Sequence, residues 1–191
     1  MQLNLSIKNP DLPKNKCLAL GVFADERPPR GICGFIDWRL NGMISREIRQ
    51  GRISGDFEEK IVIPFPQRIG TEILLLFGLG NIPDINYDKI YNAAYLITKA
   101  VDGMALNSFA FDLCGEGRSG LATSNVTEVM ITGIFDFLST DIDKLSGMNA
   151  SVVTSSNSLQ EVALGIKQFK ADVNDRGSVD VPALENSLAL S

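Results

Sequence analysis

Histidine is absent from this chain. That excludes serine–histidine and cysteine–histidine nucleophilic catalysis, and every imidazole metal site. Acid–base chemistry would fall to carboxylates, Lys or Tyr, or to a carboxylate-bound metal. Cysteine is scarce. Cys17, Cys33 and Cys114 lie far apart, are odd in number and form no C-x-x-C pair. A thiolate zinc site is therefore not expected, and a reducing compartment suits the chain. Long apolar runs are missing too, with nothing approaching the ~20 residues of a membrane helix. The opening Met1-Gln2-Leu3-Asn4-Leu5 has neither the basic segment nor the apolar core of a secretory signal. A cytoplasmic protein without membrane contact is expected. Nor is there a surplus of positive charge. Eighteen Lys and Arg stand against 23 Asp and Glu, a net charge of −5, which argues against a general attraction to nucleic acid.

At 191 residues and 45% hydrophobic content, the chain can bury a full core as one domain. The clearest segment runs from Glu72 to Met104. Ile73-Leu74-Leu75-Leu76-Phe77 is short and continuously apolar, which fits a strand buried on both faces. Gly78-Leu79-Gly80 ends it. The spacing of Tyr87, Ile90, Ala94, Ile97, Val101 and Met104 then predicts an amphipathic helix, with Asp84 as its N-cap and Gly103 near its end. A strand over Leu106 to Leu113 completes a βαβ unit. The fold class expected is α/β: a mixed, mostly parallel sheet of about six strands with helices on both faces.

Around that centre, Leu3 to Lys8 alternates as a half-buried strand, and Asn9 to Pro13 is a loop. Cys17 to Phe23 is a second, more central strand, and Ala24 to Gly34 is irregular. Phe35 to Gln50 reads as one helix, with Gly42 inside it and Gly51 as its C-cap. On it Arg39, Arg46 and Arg49 share a face, followed by Arg52; this is either an anion or partner patch or, more plainly, a solvated face. Ile61-Val62-Ile63 is a short strand stopped by Pro64 and Pro66. After the glycine-rich Cys114 to Ala122, a helix is expected from Thr123, with Asn125 and Glu128 resembling a capping box. Asp141 to Asn149 reads as a loop, Ser151 to Thr154 as an edge strand, and Leu159 to Val173 as a last helix. The domain should span 1–173, leaving 174–191 as a tail.

Three stretches carry a resemblance to a known family. Asp37-Trp38-Arg39-Leu40-Asn41-Gly42-Met43-Ile44-Ser45-Arg46 resembles the early helix of leucyl aminopeptidase N-terminal domains. Gly55-Asp56-Phe57-Glu58-Glu59-Lys60 is similar to the stretch that follows it there, and Leu74 to Gly80 to the family's L-L-V-G-L-G turn. The resemblance implies a macro-like fold. In the two-domain enzymes this domain precedes a catalytic domain with two metal ions, marked by N-T-D-A-E-G-R, which does not occur here. The expectation is thus a stand-alone, non-catalytic relative with no cofactor: a binding, assembly or regulatory module. Its partners would be further copies of itself or a full-length peptidase.

The alternative is a binder of a nucleotide or ADP-ribose type ligand. Gly115-Glu116-Gly117-Arg118-Ser119-Gly120 matches G-x-G-x-x-G between a strand and a helix, a setting in which backbone N–H groups can meet a phosphate. By the resemblance, the loop at this place in macro domains holds a diphosphate. Against it, two residues separate the third glycine from the helix, Glu116 would repel phosphate, and no carboxylate ends the next strand. A tight turn needing glycine is the plainer reading. Gly78 and Gly80 are added to the candidate site as a second glycine turn, expected at the carboxyl end of a neighbouring strand.

Overall fold

The structure, a computed structural model, describes residues 1–6 and 15–173. The expected loop at Asn9 to Pro13, the last two residues of the first expected strand, and the 174–191 tail lie outside the described residues. Among the described residues there are six strands: β1 (Gln2–Ser6), β2 (Cys17–Val22), β3 (Lys60–Pro64), β4 (Ile73–Gly78), β5 (Ser108–Asp112) and β6 (Asn149–Val153). They form one sheet in the order β1-β6-β5-β2-β4-β3. Every neighbouring pair is parallel except β3 against β4. The helices are α1 (Gly31–Arg39), α2 (Met43–Arg49), α3 (Tyr87–Gly103), α4 (Thr123–Leu138), α5 (Ile142–Gly147) and α6 (Leu159–Val173).

Side-chain alternation divides the core into two layers. Cys17 and Ala19 of β2, Leu75 and Phe77 of β4, and Phe109 and Phe111 of β5 pack with α3, α4 and α6. Leu18, Leu20, Leu74, Leu76 and Ala110 face the other way, onto Cys33 and Ile36 of α1 and Ile44 and Ile48 of α2. Strands buried on both faces have no polar side to show, which is why β2 and β4 read as continuous apolar runs. Each fully buried Leu or Phe contributes about 1.5–3 kcal/mol through removal from water.

The helix expected over Phe35 to Gln50 is two helices, and the first begins earlier, at Gly31. The break is built by Asp37. Its backbone carbonyl accepts from Gly42 N–H at 2.8 Å, and its carboxylate accepts from Ser45 N–H at 3.0 Å, so it opens α2. Asn41 and Gly42 take φ of 57° and 68° to make the corner. Other local expectations also change. Asn86, not Asp84, caps α3, accepting from Lys89 N–H at 2.9 Å. Asn125 lies inside α4, so no capping box forms there. The Asp141 to Asn149 stretch contains α5, capped by Asp141. β6 is an inner strand between β1 and β5, not an edge.

α4 is clasped from both sides at glycine. A Cβ on Gly133 would stand 2.6 Å from the Tyr91 carbonyl oxygen of α3, and one on Gly165 of α6 2.2 Å from the Ser124 carbonyl oxygen of α4. Glycine costs each helix about 1 kcal/mol in propensity relative to Ala, so close backbone approach has to outweigh that. Gly165→Ala should therefore lose about 1–3 kcal/mol despite its better propensity, read as a lower urea midpoint. Gly103→Ala, whose Cβ would meet nothing within 4 Å, is the control and should be neutral or stabilising.

Candidate functional site

β2, β5 and β6 are adjacent and parallel, so their carboxyl ends share one edge. From β5 the chain passes through α4 to β6, on one side. From β2 it passes through α1 and α2, on the opposite face, towards β3 and β4. Connections that diverge between neighbouring strands leave a crevice. A cleft of about 650 Å³ opens there. Its walls are the start of α1 (Gly31, Ile32 and Phe35), the loop after β5 (Leu113, Glu116, Gly117 and Arg118), and Thr154 to Ser158 after β6.

The glycine loop reaches this cleft only in part. Glu116, Gly117 and Arg118 line it, while Gly115, Ser119 and Gly120 shape the loop behind. Gly115 has φ +77° and packs against Ser119 and Phe23; the Ser119 hydroxyl donates to the Gly115 carbonyl at 3.0 Å. The backbone N–H groups of Glu116, Arg118 and Ser119 donate to carbonyls of the same loop. Those three N–H groups are thus committed within the turn, and a complete phosphate cradle of the dinucleotide kind is not built. Gly78 and Gly80 stand elsewhere. β2 separates β4 from β5, so their turn is not beside the glycine loop. A Cβ on Gly78 would lie 1.9 Å from the Asp56 carbonyl oxygen, and Gly80 N–H donates to the Gly55 carbonyl at 2.8 Å. Those glycines serve the close approach of the 55–57 segment.

Charge in the cleft is concentrated and mostly buried. An Arg118 guanidinium nitrogen lies 2.8 Å from Glu26 Oε2, the two side chains being 11% and 7% exposed. The same guanidinium lies 5.1 Å from the centre of the Phe23 ring. Glu26 also accepts from Arg30 N–H at 3.1 Å, which fixes the approach to α1. That helix has no side-chain N-cap and no acid in its first turn; the Glu26 carboxylate, on the N–H of its N-cap residue Arg30, is the acid that stands at its positive end. Asp112, buried, accepts from Gly21 N–H at 3.0 Å. Burial pushes its carboxyl up to about 6; the Arg118 charge and the Gly21 N–H work against this, and Glu116 adds to it. Among the described residues, three buried polar atoms on the cleft walls have no hydrogen-bond partner: Glu116 Oε1, Arg118 Nε and Thr154 Oγ1. Such atoms cost about 1–3 kcal/mol each when left unpaired. Glu26, Thr154 and the start of α1 were not visible in the sequence, since none sits in a periodic pattern or a cap signature.

The three cysteines are buried thiols. Burial pushes Cys17 up to about 12 and raises Cys33 and Cys114 further, so none is a ready nucleophile. Among the described residues, no three His, Cys, Asp or Glu gather as a metal would require, and no helix is long and apolar enough to cross a membrane.

A family profile described as the cytosol aminopeptidase family, N-terminal domain, matches residues 19–140. This chain belongs to that family. A probable cytosol aminopeptidase of Burkholderia multivorans is 33% identical over 81 residues, covering 42% of this chain and 16% of the relative. The match thus spans a minor part of that relative's length. The family domain has the fold of macrodomains. One from Oceanobacillus iheyensis superposes with a TM-score of 0.72 at 14% identity, covering 91% of this chain and 93% of that one. A Trypanosoma brucei macrodomain, solved in complex with ADP-ribose, gives 0.69 at 14% identity over 84% of this chain and 67% of that one. Tomato leucine aminopeptidase gives 0.63 at 14% identity, over 87% of this chain and 35% of the enzyme. At such identities the likeness speaks for the fold.

The Asp112 environment makes a pH prediction. Between the ordinary value of 3.8 and about 6, the folded state binds more protons than the unfolded one. The contribution of this group is therefore whole at low pH and is lost as pH rises through about 6. Asp112→Asn keeps an acceptor for Gly21 and removes the titration. Between about pH 4 and pH 7 it should gain roughly 2 kcal/mol relative to the parent, measured by urea unfolding at each pH.

Proposed function

We propose that this chain is a non-catalytic binding module of the cytosol aminopeptidase family, and that the cleft takes a small molecule of nucleotide or ADP-ribose type. The observation that carries the reading is the set of unpartnered polar atoms on Glu116, Arg118 and Thr154, which come from two walls of one cleft. A ligand with hydroxyl or amino donors would satisfy the carboxylate, and one with acceptors the guanidinium and hydroxyl. A sugar-bearing molecule has both. The ADP and ADP-ribose complexes of similarly folded macrodomains support the same class.

The non-catalytic part of the reading rests on how the reactive groups are engaged. Asp112 is held by a backbone N–H, Glu26 by Arg118 and Arg30, and the thiols are buried. We take 1–173 as the working unit in the cytoplasm. We infer that its biological role is to regulate or assemble peptidase function, with further copies of itself or a full-length peptidase as the partner.

Calorimetric titration with ADP-ribose, ADP, ATP and NAD should give saturable one-to-one binding with at least one of them. Thr154→Val should weaken it about tenfold, by the loss of one buried hydrogen bond. Flat titrations with all four ligands would remove the ligand reading. Turnover of leucyl-p-nitroanilide with manganese by the pure protein would remove the non-catalytic one.

A further inference from the structure

A second surface is set apart from the cleft by its chemistry. Where α1 turns into α2, two hollows of about 320 and 330 Å³ adjoin and share Asn41 and Arg68 in their walls. Trp38 flanks the first and Phe65 the second. Both aromatics face solvent, at 70% and 77% exposure, and Trp38 is the sole tryptophan of the chain. Exposed aromatics gathered on one surface and rimmed by polar residues are the pattern of an interaction patch.

The local charge is opposite to that of the whole chain. Arg39, Arg46 and Arg68 line the two hollows, and no Asp or Glu does, although the net charge is −5. The backbone there is costly as well. Asn41, Phe65 and Arg68 have φ of 57°, 46° and 71°, in the left-handed region that bulky residues avoid. Such conformations cost about 1–3 kcal/mol each and persist where surrounding structure imposes them. Here the Phe65 N–H donates to the Glu72 carbonyl, Arg68 bonds to the Asn41 side chain at 2.5 Å, and Arg39 donates to the Arg68 carbonyl at 3.3 Å. The ridge between the hollows is tied together, and an exposed phenylalanine stands beside it.

We propose that this surface docks an acidic segment of another protein, with apolar side chains seated in the two hollows and carboxylates meeting the three arginines. Aromatic residues and arginine are the types that dominate binding energy at protein interfaces. Charge selects the partner. A second copy docked by the same face would oppose arginine to arginine across a twofold axis. A nucleic acid, with a charge on every nucleotide, would meet the repulsion of the acidic chain far more strongly than a short segment with a few carboxylates. Strand addition at this end of β3 is also disfavoured, because Pro64 has no N–H to give. The partner therefore binds through side chains.

Trp38 provides the readout. The full chain is titrated with a short peptide alternating glutamate with leucine or phenylalanine, while tryptophan emission is followed. Saturable binding with a blue shift is expected, weakening as salt is raised. Phe65→Ala and the pair Arg46→Glu with Arg68→Glu should each weaken it by about tenfold or more, with folding checked by circular dichroism. Three results would overturn the proposal: no change of emission with the acidic peptide, equal binding of a lysine-for-glutamate version, or tighter binding of an oligothymidine. A blue shift that depends on protein concentration alone, with dimers in sedimentation, would assign the surface to a second copy and overturn it equally.

Discussion

Glu26 and Arg118 come from loops far apart in sequence and meet, almost buried, at the point where the connections of the sheet diverge. Their contact joins the segment entering α1 to the loop entering α4, and so joins the two helical layers at the mouth of the cleft. Neither charge would be tolerable there alone; removing one partner from a buried pair leaves an uncompensated ion, which typically costs several kcal/mol. The pairing also decides what the cleft can offer. The charge of Arg118 is largely committed to Glu26 and to the Phe23 face, so what the cleft has left to offer is dipoles, among them the buried Nε–H of Arg118 and the Thr154 hydroxyl.

The architecture was legible wherever burial imposes a pattern. β2 and β4 are covered on both faces, and their sequences say so with unbroken apolar runs; α3, α4 and α6 cover one face, and their stripes recur at helical spacing. The reading failed where local choices were settled by distant partners. Nothing in Phe35 to Gln50 announces that the Asp37 carboxylate will take the N–H of Ser45 in the first turn of a second helix that begins at Met43. The interior position of β6 depends on β1 pairing outside it, which is a matter of topology. The site was half visible for the same reason. Glycine spacing reveals a turn, and it led to Glu116 and Arg118. It could not reveal that Glu26 stands opposite, or that β2 divides the two glycine turns.

Helix α1 has two neighbours of different character. Its first turn borders the cleft, and Phe35, which also lines the cleft, lies with its ring 6.0 Å from that of Trp38 on the outer surface. One side chain therefore touches both surfaces. A displacement of Phe35 on filling the cleft would be felt at Trp38, and a partner resting on Trp38 would restrict Phe35.

The glycine contact between α6 and α4 reaches further than helix packing. Ser124, which Gly165 approaches, is the second residue of α4 and lies just beyond the loop that ends at Ala122. The downstream anchor of that loop is thereby fixed by backbone against backbone, with no side chain between to yield. Its upstream anchor is Asp112, held to the central strand by Gly21. A loop pinned at both ends is shaped before any encounter, so the ligand proposed for the cleft would forfeit little affinity to ordering its receptor, and its selectivity would come from fit in place of closure.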